Sequence, residues 1–256
     1  MEANCVRLHV VCLKSMSVLK TTSEVAKELL WPTRCAVCDA PGVVLCEKCK
    51  HNLRYVDSNK SCKQCGAFGG ATQCSECNDI MLEVNDVEEF PLNELRHCVV
   101  LNEDARRIVT AFKDGSELRL AREIADIMTR YVEPAWIKEN AVVTFIPPTK
   151  EAVLRRGFNH MELIAKELCK NTHLALANLF ETPKSTDQRA LTRKERIKNM
   201  KQVLRPKKTV QKIGIRPVII VDDVCTTGAT IYSASSALKH AGIKTVWGLT
   251  FARVMS

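Results

Sequence analysis

The chain has 256 residues, of which 46% are hydrophobic, and it carries a formal net charge of +9. This length fits one large domain or two smaller ones, and the apolar content is sufficient for a buried core. A membrane span is not expected, because no run of about 18 uncharged apolar residues occurs. The N-terminus lacks the layout of a secretory signal, so we expect a cytoplasmic protein.

The positive charge is concentrated in residues 184–212. This segment contains eleven Lys or Arg residues and two acidic residues, so its net charge of +9 equals that of the whole chain. A basic block of this size favours an anionic partner such as a phosphate, a nucleotide or a nucleic acid. A solvated linker would have the same composition.

Residues 1–33 are predicted as an N-terminal extension that is helical in its second half and ends at Pro32. Residues 34–80 follow as a module with four Cys-x-x-Cys pairs. A gap of two residues lets both thiolates reach one ion, and two such pairs complete a tetrahedral Zn²⁺ site. The predicted zinc ligands are Cys35, Cys38, Cys46, Cys49, Cys62, Cys65, Cys74 and Cys77.

We interpret the predicted zinc as structural, with one or two ions. The module has few large apolar residues, so a metal is needed to hold its fold. Four Cys ligands leave no open position for a substrate. Neighbouring pairs could share an ion, or the pairs could interleave, and the spacing allows both. A disulfide framework is disfavoured because nothing in the sequence indicates a secreted chain.

Residues 95–256 are predicted as one domain in which strands and helices alternate. Apolar strands are predicted at LRHCVVLN, AVVTFIPP, PVIIVDD and KTVWGLTFAR, with another short strand at LALANLFE. Helices are predicted over 103–128 with a break at KDGSE, over 159–170 behind a capping box of Asn159 and Glu162, and over 230–242. Strands that are apolar on both faces indicate an α/β fold with a parallel sheet flanked by helices.

The stretch PVIIVDDVCTTGAT, residues 217–230, combines a buried strand, two acids and a hydroxyl-rich turn. Ligands of open α/β sheets bind at the carboxyl ends of strands, where Asp222 and Asp223 are expected to reach the surface. The next helix begins with N–H groups that can bind an anion, and Gly228 lets the backbone approach it. The two carboxylates can accept hydrogen bonds from sugar hydroxyls, and the N–H groups of the next helix can donate to a phosphate. This combination suits a sugar phosphate. The sequence has no Walker motif, which disfavours an ATPase.

The stretch VIIVDDVCTTGAT resembles the phosphoribosyl-pyrophosphate (PRPP) loop of type I phosphoribosyltransferases. The resemblance implies the fold of that class and places the ribose 2′- and 3′-hydroxyls on Asp222 and Asp223. Purine-salvage members carry an acid where Thr226 stands, so a nucleotide-synthesis or salvage transferase is the weaker alternative. Besides the two acids, the residues that the resemblance assigns to PRPP are Cys225, Thr226, Thr227, Gly228, Ala229 and Thr230.

Further motifs resemble the ComF family of competence-associated, phosphoribosyltransferase-like proteins, which also has an N-terminal module of four Cys pairs. The stretch RRGFNH is similar to the RGFNQ element of that family, with His160 where Gln is common. It implies that Arg155, Arg156 and Gly157 bind the pyrophosphate, which suits two guanidinium groups beside a helix start. A Q-x-x-L-x-x-x-x-R-x-x-N-[MV] motif at 188–200 is shared as well. The resemblance implies a mobile loop closing over the site with Gln188, Arg189, Arg193, Lys194 and Arg196.

Together, these resemblances imply a PRPP-binding protein that acts in DNA uptake or natural transformation. It would transfer phosphoribose to an unknown acceptor and release pyrophosphate, with Asp222, Asp223, Arg155 and Arg156 as catalytic residues and a Mg²⁺ ion bridging PRPP oxygens. The alternative is a non-catalytic competence factor that binds single-stranded DNA and has a regulatory PRPP pocket. The expected partners are PRPP, single-stranded DNA, and competence or recombination proteins.

Overall fold

The computed structural model describes residues 32–78, 80, 83, 90–183 and 204–255. Within these residues, the strands are β1 (Glu94–Val100), β2 (Val142–Phe145), β3 (Ala175–Leu176), β4 (Val218–Cys225) and β5 (Val246–Arg253). They form one sheet in the order β1-β5-β4-β2-β3, and all neighbouring strands are parallel. The predicted α/β fold with a parallel sheet is therefore confirmed.

The helices that connect the strands begin at side-chain caps in three places. Asn102, Thr149 and Asn159 each accept a hydrogen bond from the backbone N–H three residues later, at 3.0, 3.2 and 3.1 Å. These caps fix where three helices start at the carboxyl edge of the sheet. The helices are α1 (Glu47–His51), α2 (Glu103–Lys113), α3 (Leu120–Thr129), α4 (Pro134–Lys138), α5 (Lys150–Arg156), α6 (His160–Thr172) and α7 (Ala229–His240).

The hydrophobic core has two parts because the sheet buries side chains on both faces. In β4, Ile219 and Val221 belong to one buried cluster, whereas Val218 and Ile220 belong to the other. This division follows from the alternation of side chains along a strand. Helices α3 and α6 pack on the first face, and α7 packs on the second. The sheet is therefore covered by helices on both sides, as the apolar strands predicted.

The Cys-rich module crosses the edge of the sheet at β1. Val100 N–H donates to Arg54 O at 2.8 Å, and Val56 N–H donates to Cys98 O at 2.9 Å. The half of the module that holds Cys35 packs into the first core cluster, and the half that holds Cys62 packs into the second. The module thus covers a strand edge that would otherwise leave backbone groups unpaired.

Two details differ from the sequence prediction. The strand predicted at LALANLFE is only two residues long. Beyond it, Leu179 N–H donates to the Thr144 side-chain hydroxyl at 3.3 Å, and Phe180 pairs with Pro206 instead of with β2. Strand β4 extends two residues beyond the predicted PVIIVDD, to Cys225, so Val224 and Cys225 follow the two acids within the strand.

The break predicted at KDGSE is confirmed, since it separates α2 from α3. The predicted helix ahead of Pro32 and the predicted mobile-loop residues lie outside the described residues. In the part of the chain that the structure describes, no helix has the length and apolar character needed to cross a membrane.

Candidate functional site

An acidic pair occupies the carboxyl end of β4. Because neighbouring residues of a strand point to opposite faces, the carboxylates of Asp222 and Asp223 diverge across the sheet. Asp222 keeps partial access to solvent, but Asp223 is only 5% exposed. The structure therefore differs from the expectation that both carboxylates reach the surface. The two residues remain linked, since Asp222 Oδ1 accepts a hydrogen bond from Asp223 N–H at 2.9 Å.

The buried carboxylate of Asp223 joins three elements of the fold. Its Oδ2 lies 2.6 Å from Lys113 Nζ, at the last residue of α2, and 3.0 Å from His160 Nε2, at the first residue of α6. A buried carboxylate is strongly destabilising unless it is paired. The two contacts supply that pairing, and they hold the ends of α2 and α6 against β4.

The two acids have pKa values that move in opposite directions. Burial, reinforced by the charge of Asp223, raises the pKa of Asp222 to about 8. Burial alone would also raise the pKa of Asp223, but the contacts with His160 and Lys113 outweigh it and lower this pKa to about 2. Near neutral pH, the pair therefore holds one negative charge on Asp223 and one proton on Asp222.

Arg156 extends this network to the end of α5. Its Nη1 lies 3.3 Å from His160 Nδ1, and its Nε lies 3.7 Å from Asp114 Oδ1. The Nε atom is buried without a hydrogen-bond partner within the described residues. The neighbouring Arg155 is exposed, and Gly157 ends α5 with a positive φ of 79°. The structure thus connects Arg156, rather than Arg155, to the acidic pair through His160.

The turn after β4 leads directly into α7. Gly228 is its N-cap, with a φ of 77°, and a Cβ atom at this position would come within 2.4 Å of the Tyr232 ring. Only glycine fits this conformation and this approach. Thr226 and Thr227 are exposed, while Ala229 and Thr230 are half-buried. The turn therefore presents hydroxyl groups and the positive end of a helix beside the acidic pair.

Cys225 faces the interior at the end of β4. Its residue surface is 4% exposed, and burial raises the pKa of its thiol to about 11. The thiol is therefore protonated at neutral pH and does not act as a nucleophile.

The eight cysteines of the N-terminal module form two clusters of four sulfur atoms. Neighbouring pairs share each cluster, so one of the two pairings allowed by the spacing is observed. The Sγ–Sγ distances are 3.7 Å for Cys38–Cys46, 3.6 Å for Cys62–Cys77 and 3.4 Å for Cys65–Cys74. Four Zn–S bonds of ~2.3 Å in a tetrahedron place sulfurs about 3.8 Å apart. The clusters therefore fit two structural zinc ions.

The second cluster is tied to the carboxyl end of β5. Arg253 Nη1 donates to the Cys65 carbonyl at 2.7 Å and to His97 Nε2 at 2.7 Å, and Arg253 also pairs with Glu76. Because Nε2 accepts this bond, the His97 hydrogen lies on Nδ1 and is donated to Thr250 Oγ1 at 2.7 Å. Burial, together with the Arg253 charge, lowers the pKa of His97 to about 3. The zinc module thus braces the strand next to β4.

Sequence reasoning missed two members of the site, Lys113 and His160. Lys113 lies in the KDGSE segment, whose sequence predicts only a helix break, and it is 110 positions from Asp223 in the chain. In the sequence, His160 is only a departure from a motif. A signal was present in each case, since each is a polar residue at the end of a helix that borders the carboxyl edge of the sheet. Their contact with Asp223 depends on how the helices pack.

The fold and site define a class of protein: a parallel α/β domain with an acidic pair and an anion-binding turn on one strand, joined to a module of two Cys₄ clusters. A family model described as a double zinc ribbon domain matches residues 26–81. This match agrees with the observed Cys₄ clusters and supports the prediction of structural zinc.

Three curated proteins are similar to this chain. Competence protein F of Haemophilus influenzae is 25% identical over 215 residues, which cover 80% of this chain and 89% of that protein. Competence protein ComFC of Bacillus subtilis is 22% identical over 221 residues, covering 86% and 87%. DNA utilization protein YhgH of Escherichia coli O157:H7 is 33% identical over 94 residues, covering 36% and 40%. These matches and the double zinc ribbon confirm the resemblance to the ComF family.

Zinc content tests the Cys₄ clusters. We expect two zinc ions per chain in the wild type, one in Cys38→Ser and two in Cys169→Ser. Cys38 is an exposed member of the first cluster, so its loss removes a ligand with little effect on packing, whereas Cys169 lies outside both clusters. Elemental analysis of the purified proteins measures the ratio. Two ions in Cys38→Ser, or fewer than two in the wild type, would contradict the assignment.

The pH dependence of stability tests the acidic pair. The folded pKa of Asp222, about 8, lies above the unfolded value of ~3.9, so its contribution to stability is complete below about pH 4 and is lost as pH rises through about 8. Asp222→Asn does not undergo this loss. Its melting temperature relative to the wild type should therefore be several degrees higher at about pH 9 than at about pH 6. Asp126→Asn is the control, and an equal difference at both pH values for Asp222→Asn would refute the shift.

Proposed function

We propose that the protein binds PRPP at the carboxyl end of β4, as the resemblance to the PRPP loop implies. The observation that carries this proposal is the acidic pair followed at once by the Gly228 turn into α7. The ribose hydroxyls would donate to Asp222 and Asp223. The 5′-phosphate would accept hydrogen bonds from the Thr226–Thr230 turn at the positive end of α7.

The pyrophosphate would lie toward the cations that surround Asp223. Arg156 has a buried Nε without a hydrogen-bond partner among the described residues, and Lys113 can give its remaining ammonium hydrogens to a second anion. When a ribose hydroxyl donates a hydrogen bond to the Asp223 carboxylate, the Lys113 ammonium group can donate a hydrogen bond to the pyrophosphate. A Mg²⁺ ion that arrives with PRPP would neutralise part of the pyrophosphate charge, and no protein ligand is assigned to it.

In the transferase form of the proposal, phosphoribose passes to an acceptor. The bond from C1 of the ribose to pyrophosphate breaks, the pyrophosphate leaves with the electron pair, and a nucleophilic atom of the acceptor bonds to C1. Negative charge grows on the leaving pyrophosphate during this step. Arg156 and Lys113, fixed in place before the reaction, would stabilise that charge.

A role in DNA uptake is supported by relatives named competence proteins and a DNA utilization protein. In the alternative proposal, the protein binds single-stranded DNA and its PRPP pocket is regulatory. The described part of the basic segment favours backbone contacts, since Arg205, Lys208 and Lys212 are exposed. Aromatic stacking has less support, because Phe90 is 7% exposed and packs edge-on against Tyr232.

PRPP binding tests the proposal. We expect calorimetry with PRPP and MgCl₂ to show binding to the wild type, and we expect Asp222→Asn/Asp223→Asn to weaken it at least about 100-fold, because the charge-assisted hydrogen bond to Asp223 and the hydrogen bond to Asp222 are both lost. Asp126→Asn should bind like the wild type. Asp126 contacts Asn171, which lies eleven residues along α6 from His160, or about 16 Å.

The absence of binding to the wild type, or equal binding by the double variant, would overturn the proposal. Pyrophosphate release then separates the two forms of the function. Release with single-stranded DNA or a nucleobase as acceptor would indicate transfer. PRPP binding without release, together with salt-sensitive binding of single-stranded DNA, would indicate the regulatory form.

A further inference from the structure

We propose that His160 is a positioning residue that holds the ribose-binding carboxylate of Asp223 and the pyrophosphate-binding guanidinium of Arg156 in register through the two nitrogens of one ring. This inference rests on the proposed PRPP site and adds a residue to it. His160 contacts both residues at once, although they come from β4 and α5.

The two contacts determine the tautomer of the ring. Arg156 can only donate, so His160 Nδ1 must accept at the observed 3.3 Å. The hydrogen then lies on Nε2, the atom that is 3.0 Å from Asp223 Oδ2. A second hydrogen on Nδ1 would point at the guanidinium. The ring that fits both partners is therefore the neutral Nε2–H tautomer.

The surroundings of His160 fix the ring in this orientation. The side chain is 7% exposed, and the Phe112 ring meets it nearly edge-on, with centroids 6.3 Å apart and an interplanar angle of 72°. Lys113, the last residue of α2, lies against the same Asp223 oxygen, and Asp114, which caps α2, lies 3.7 Å from Arg156 Nε. The charged groups around the ring thus come from α2, α5 and β4, with Asp222 adjoining Asp223.

This bridge has a consequence for substrate binding. In PRPP the pyrophosphate is attached to the ribose at C1, so the groups that bind the two parts must keep a fixed separation. A rigid ring between Asp223 and Arg156 sets that separation before the substrate arrives, which reduces the cost of ordering the site. A side chain with one donor and one acceptor could replace the ring, whereas an apolar side chain could not.

Two variants of His160 test the bridge. A glutamine at this position keeps a neutral donor and acceptor, and a leucine keeps similar bulk without either, so we compare His160→Gln with His160→Leu. In titrations with PRPP and MgCl₂, His160→Leu should bind at least about tenfold more weakly than the wild type, the loss expected for one hydrogen bond to a charged group. His160→Gln should bind within about threefold of the wild type. Melting temperature and zinc content check that both variants are folded.

The tautomer provides a test that needs no variant. ¹⁵N NMR of the wild-type protein should show the His160 hydrogen on Nε2 and none on Nδ1. An Nδ1–H form would overturn the bridge even if PRPP binds. Equal PRPP affinity of His160→Leu and the wild type would also overturn it, while leaving the proposed function intact. If the wild type binds no PRPP, the proposed function and the positioning role both fail.

Discussion

The structure of the site depends on keeping one carboxylate buried at the end of a central strand. Asp223 stays ionised only because Lys113 and His160 contact it, and these contacts hold α2 and α6 against β4. The same pairing leaves Asp222 as the acid that takes up the proton, because two neighbouring buried charges are unfavourable. A single electrostatic requirement therefore connects three elements that are distant in sequence and places Arg156 beside them.

The zinc module takes part in the same architecture. Its two halves pack on opposite faces of the sheet, and the segment between them covers the outer edge of β1. Arg253 connects the Cys65 carbonyl to the end of β5, whose last residue pairs with Cys225 in β4. The metal ligands thus brace the strand ends beside the proposed binding turn, which a module attached only by a linker would not do.

Much of the fold could be predicted from the sequence, because apolar strands, caps and Cys spacing are local signals. The break at KDGSE, the cap at Asn159 and the Cys₄ ligands were all predicted. The spacing of the cysteines does not determine their pairing, since both arrangements satisfy tetrahedral zinc. The burial of Asp223 and its contacts could not be predicted, because they depend on how α2 and α6 approach β4. Arg155 and Arg156 are neighbours with equal chemistry, and only the course of α5 distinguishes them.

The central claim is that the end of β4 binds a phosphorylated ribose. A crystal structure of the protein with PRPP and MgCl₂ tests it most directly. The account predicts electron density for the ribose against Asp222 and Asp223, the 5′-phosphate on the Gly228 turn, and the pyrophosphate beside Arg156. PRPP density elsewhere on the protein, or no density at this turn at saturating PRPP, would contradict the account.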